Sequence, residues 1–165
     1  MFFKIAKILL FFLIIFVLTT VCIFFVNPHS LVYLYVGEDN KTIVAETKYI
    51  PIKKIVARAN FEISPDAEWS PNDGYFSYFD FVRLEFAKKE WALKIINTRT
   101  LVVKTIFIGD FRVSEYDWLN DGTIRVYVSA GSGVRVYRDI NINVSQPIIM
   151  IDDWESGAWV PEKTF

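Results

Sequence analysis

The chain changes its hydrophobic rhythm once, near residue 30. From Ile8 to Val26 the sequence is an uncharged run of 19 residues, broken only by Thr19, Thr20 and Cys22. At about 1.5 Å per residue, such a run in helical form reaches roughly the 30 Å of a bilayer's hydrocarbon core, so the pattern predicts a transmembrane helix over 8–26. A cleaved secretory signal is the competing reading, but its apolar region is typically shorter and exits through small residues. Here Phe24, Phe25 and Val26 lead into Asn27-Pro28. A lipoprotein signal fits poorly, because Thr19-Thr20-Val21 precede Cys22. A buried or interfacial helix is the third alternative.

Beyond residue 30 the apolar positions recur roughly every second residue, the period of strands with one face in a core. Leu31–Val36 and Thr42–Glu46 read as strands around the turn Gly37-Glu38-Asp39-Asn40. Ile55 to Ile63 alternates. Phe76–Phe86, Trp91–Ile96 and Leu101–Ile108 are denser runs with polar connectors, as expected of antiparallel hairpins. Thr123–Ser129 alternates again, and Gly131-Ser132-Gly133 suits a tight turn into Val134–Ile140. No helix is expected after that glycine pair, so a phosphate-cradling loop is not indicated. The fold class expected is therefore mostly β: an amino-terminal transmembrane helix followed by an antiparallel meander or sandwich-like domain with blade-like hairpins. The divisions are a short amino terminus (1–7), the helix (8–26), a linker (27–30), the β domain (31–150) and an aromatic, acidic carboxy-terminal tail (151–165).

Charge placement adds an orientation. Lys4 and Lys7 are the only charged side chains before Glu38, and setting them aside takes the formal charge from -1 to -3. They flank the apolar run, so the positive-inside bias puts the amino terminus in the cytoplasm and the domain outside the plasma or inner membrane. The bilayer is then a partner through residues 8–26. A weakly acidic body lacks the basic face of nucleic-acid binders, which argues against that class. Lys53, Lys54 and Arg58 read as a solvated strand edge or a contact with lipid headgroups.

An internal repeat organises the middle of the chain. Trp69-Ser70-Pro71-Asn72-Asp73-Gly74-Tyr75-Phe76 returns as Trp118-Leu119-Asn120-Asp121-Gly122-Thr123-Ile124, with the shared Asn-Asp-Gly 48 residues apart. Over about residues 69–138 the chain resembles the blades of β-propellers of the TolB or WD40-like kind. The resemblance implies a protein-binding or scaffolding role and carries no catalytic residues with it. A closed propeller needs at least about four blades. The domain is too short for that, so an open meander or sandwich is preferred over closure by several copies. Asp73 and Asp121 read as turn residues rather than calcium ligands, because neither copy has the spaced oxygen ligands that calcium loops need.

Candidate chemistry is sparse. Cys22 and His29 are the chain's single cysteine and single histidine, which leaves no thiol–imidazole or Ser-His-Asp arrangement away from the apolar run. No metal site or cofactor is expected. His29 reads as an exposed linker residue. A pair among Asp80, Glu85, Asp117, Asp152, Asp153 and Glu155 could serve glycan hydrolysis only at the right separation in space. Asn40-Lys41-Thr42 and Asn143-Val144-Ser145 fit glycosylation acceptors. The carboxy-terminal tryptophans have two readings: they close the core, or Trp154 and Trp159, with Tyr116 and Trp118, present aromatic faces to a protein or glycan. The function expected is a membrane-anchored, extracytoplasmic module that binds another envelope protein, with carbohydrate binding as the alternative and hydrolysis behind it.

Overall fold

A computed structural model describes residues 8–19, 32–48, 51–64, 66–83, 90–131 and 133–162. Its first helix, α1, covers residues 8–19, about 18 Å of rise. This corrects the expected membrane span: among the described residues no helix is long and apolar enough to cross a membrane. The rest of that predicted span, residues 20–26, lies outside the described residues, as do Lys4, Lys7 and the linker 27–30. The side chains from Ile8 to Leu18 are all exposed. Thr19 donates its hydroxyl to the carbonyls of Ile15 and Phe16 at 2.9 and 3.0 Å.

The remainder is built mainly from strands in three sheets. The first sheet is an antiparallel meander of β1 (Val32–Val36), β2 (Thr42–Thr47) and β3 (Lys53–Arg58). The middle sheet contains β4 (Glu68–Trp69), β5 (Tyr75–Arg83), β6 (Glu90–Asn97) and β7 (Val103–Asp110) as antiparallel neighbours. The last sheet contains β8 (Val113–Asn120), β9 (Thr123–Gly131) and β10 (Val134–Asn141). The chain then returns to both sheets. β11 (Ile148–Ile149) pairs in parallel with β7, α2 (Met150–Glu155) follows, and β12 (Val160–Pro161) pairs with β10. The expected tail is thus partly a helix and partly the closing strand of the last sheet.

Strand alternation explains the stacking. On β5, Phe76 and Tyr78 join a core with Leu34, Ile43 and Ala45 of the first sheet. Phe79 joins a second core with Ile124, Val126, Val128, Val136 and Ile140 of the last sheet. On β6, Ile96 belongs to the first core and Leu93 and Ile95 to the second. The middle sheet is therefore covered on both faces, which is why its strands read as dense apolar runs rather than clean alternation.

The Asn-Asp-Gly repeat falls on equivalent turns, β4 to β5 and β8 to β9. In the first, the Ser70 amide donates to the Tyr75 carbonyl at 2.9 Å and the Tyr75 amide donates to Ser70 Oγ at 3.1 Å; between them Asp73 sits at φ 55°, in the left-handed region that Asp tolerates better than most residues. In the second, Asn120 accepts from the Gly122 amide at 2.8 Å. The two turns also touch. The Asn72 amide donates to Asp121 Oδ1 at 2.8 Å, and the Asn72 side-chain amide donates to Asp121 Oδ2. Each repeat tryptophan lies against a tyrosine of the preceding sheet. Trp69 stands 6.2 Å from Tyr33 and Trp118 stands 6.3 Å from Tyr75, ring centre to ring centre.

Candidate functional site

The four aromatic residues singled out by sequence do not form one surface. Tyr116 is only 3% exposed, so it offers no face to a ligand. It comes from β8 into the core between the middle and last sheets, where its hydroxyl donates to the Asp66 carbonyl at 2.6 Å. Ser77 Oγ lies 3.2 Å from Tyr116 Oη and accepts the Trp118 indole N–H at 2.8 Å. Burial, with the charges of Glu68 and Asp66 nearby, pushes the Tyr116 phenol well above its ordinary pKa and keeps it a neutral donor. Trp154 and Trp159 pack on the same core, 5.7 Å from each other, with Trp159 edge-on to Phe107. Arg112 caps Trp154 at 5.1 Å from its ring centre. Of the four, Tyr116 is buried, and Trp118, Trp154 and Trp159 are half-buried against this core.

The described acids come from three elements. Asp80 is buried on β5 and ion-paired to Lys94 of β6. Asp117 is exposed on β8, Asp152 and Asp153 lie in α2, and Glu155 is exposed at its end. Glu85 lies outside the described residues. Among the described residues no three of His, Cys, Asp and Glu come together as metal ligands. Glu68, beside the Tyr116 cluster, has its carboxyl pushed up first by partial desolvation at the surface and then by the charges of Asp117 and Asp66. A raised carboxyl favours the native state at low pH and loses that advantage as pH rises through the folded-state value. Glu68→Gln should accordingly raise the melting temperature at pH 7, by about 1–2 °C given solvent screening of this exposed residue. The gain should vanish at a pH below the ordinary glutamate range. An equal gain at both values would show that charge is not the cause.

The outer faces of the stack differ sharply. On the last sheet, the outward face carries paired charges around the Tyr127 and Tyr137 rings. Arg125 makes a two-point pair with Asp139 at 2.7 and 2.9 Å and lies 3.9 Å from the Tyr137 ring centre. Arg135 lies 4.0 Å from the Tyr127 ring centre and pairs with Glu115 and with Glu162. On the first sheet the outward positions include Tyr33, Tyr35, Val44 and Ile55. Tyr33 is 61% exposed and Ile55 51%, with Tyr33 and Tyr35 rings 5.9 Å apart. One ion pair, Lys53 with Glu46 at 3.5 Å, sits beside them, and Tyr35 donates to Glu46 at 3.1 Å.

Strand edges differ in the same way. β4, β11 and β12 are two residues long, and β12 carries Pro161. β8 carries Glu115 and Asp117 and two register shifts. β3, at the other edge of the first sheet, carries Lys53, Lys54 and Arg58. These are the devices that discourage strand addition. β1, Val-Tyr-Leu-Tyr-Val, has none of them and, among the described residues, pairs on one side only. Beside it is an open cleft of about 270 Å³ lined by Val32, Tyr33, Trp69 and Asp73. Sequence reasoning found these residues as a strand and a turn. It missed the surface, because their meeting depends on which strand ends the sheet and which sheet lies beneath it. Comparison with protein-family models, curated proteins and solved structures finds no match.

Proposed function

We propose that the protein is a polypeptide-binding or scaffolding module that docks its partner on the first sheet. The observation that carries this reading is the asymmetry of the stack: a charged, self-paired outer face at one end and an exposed tyrosine and aliphatic face beside an uncharged strand edge at the other. An apolar face of this kind is what a protein interface uses. The repeated turns and the tryptophan contacts support a rigid scaffold role, because they tie the sheets to one another and leave the end face exposed. The resemblance to propeller blades points the same way.

Photo-crosslinking tests the reading face by face. A benzoylphenylalanine at position 35 or 55, in the chain expressed at native level, should trap one discrete adduct of constant mass. The same probe at position 137, on the last sheet, should trap none. Identical adducts from both faces, or none from positions 35 and 55, would overturn it.

A further inference from the structure

We infer that the cleft beside β1 takes an extended segment of the partner chain and reads a lysine or arginine within it. This rests on the docking role of the first sheet and adds the chemistry recognised there. Three observations converge. The edge of β1 supplies a strand's worth of backbone donors and acceptors without a charge or proline in its way, the condition for adding a strand from another chain. The middle sheet extends past β5 with β4, so Trp69 of β4 floors the space next to β1, with its ring tilted 33° to that of Tyr33. Asp73 completes the lining, on the exposed turn that follows β4.

Two aromatic rings and a carboxylate around one cleft make a cation site, since the ring faces and the acid all attract positive charge and the alkyl stem of a basic side chain covers the apolar wall at Val32. A sugar would use the same rings, but among the described residues that line the cleft Asp73 is the charged one, and the strand edge next to it is matched by a polypeptide backbone. A strand laid against β1 places every second side chain on the Tyr33 face, so one residue of the segment enters the cleft while its neighbours point away.

The test uses the full chain and two fluorescein-labelled heptapeptides of alternating valine and threonine, one with a central lysine and one with norleucine in its place. Anisotropy titration should show the lysine peptide binding at least about tenfold tighter. Asp73→Asn should bring the two within about twofold; asparagine tolerates the left-handed backbone at this position, so the variant should keep its melting temperature. Tyr33→Leu should weaken the lysine peptide while sparing the fold, since Tyr33 is exposed. Equal affinities in the native chain, binding of neither peptide, or a lysine preference that survives Asp73→Asn would each overturn the inference. Displacement of the lysine peptide by glucose or N-acetylglucosamine hexamers would reassign the cleft to glycans. The crosslinks from positions 35 and 55 stand apart from these outcomes: if they persist while neither peptide binds, the docking face remains and the basic segment is rejected.

Discussion

Phe107→Ala should cost about 3–5 kcal/mol, the largest single loss expected for a side chain in the second core. Phe107 is completely buried on β7. It pairs with Ile148 of β11 and meets Trp159 edge-on at 6.2 Å, so the middle sheet and the carboxy-terminal closure both rest on it. Domains of this size are stable by only about 5–15 kcal/mol. The melting temperature followed by circular dichroism should therefore fall by about 10 °C or more. Phe111, four residues on and exposed, is the control, and its alanine variant should stay within about 0.5 kcal/mol of the parent. A fall below about 3 °C for Phe107→Ala would mean that the closure does not depend on this ring.

Asp80→Ala should be nearly as damaging, for an electrostatic reason. The Asp80 side chain is 4% exposed and its ion-pair partner Lys94 is 23% exposed, so removing the acid leaves an ammonium with little water around it. Breaking such a buried pair typically costs about 3–5 kcal/mol, whereas replacing both members by apolar residues is often neutral. Asp80→Ala alone should thus melt well below the parent, and the double variant Asp80→Leu, Lys94→Met should recover most of the loss. Asp80 Oδ1 is itself buried without a hydrogen-bond partner, which adds to the expected recovery. A double variant no better than Asp80→Ala would show that the pair stabilises beyond its desolvation cost.

The legibility of the fold follows burial geometry. β9 was readable because Ile124, Val126 and Val128 face a core while Thr123, Arg125 and Tyr127 face outward, which is period two in its plainest form. β8 was not, because register shifts between Val113 and Glu115 and between Trp118 and Asn120 break the period. Its interior residues Val113, Tyr116 and Trp118 consequently lack even spacing. α2, at six residues, is too short for a helical stripe to show. Hydropathy read residues 8–26 as one span, of which residues 8–19 are described as helix.

The candidate surface was less legible than the fold. Tyr116 and Trp118 were chosen for aromatic chemistry, yet their strand points them inward. Tyr33, Trp69 and Asp73 come from two sheets and a turn, and nothing in their local sequence says that β1 is a margin. The contact between the two Asn-Asp-Gly turns was hidden for the same reason. Each turn was readable as a turn, while Asn72 reaching Asp121 is a property of the stacking.

Coverage of the middle sheet on both sides makes the stack indivisible. Cutting the chain between β3 and β4 would leave Phe76, Tyr78 and Ile96 facing water; cutting it between β7 and β8 would do the same to Phe79, Leu93 and Ile95. Neither fragment could stand as a unit, so the three sheets must be gained or lost together, and opening anywhere in β5 or β6 demands the whole stability of the molecule.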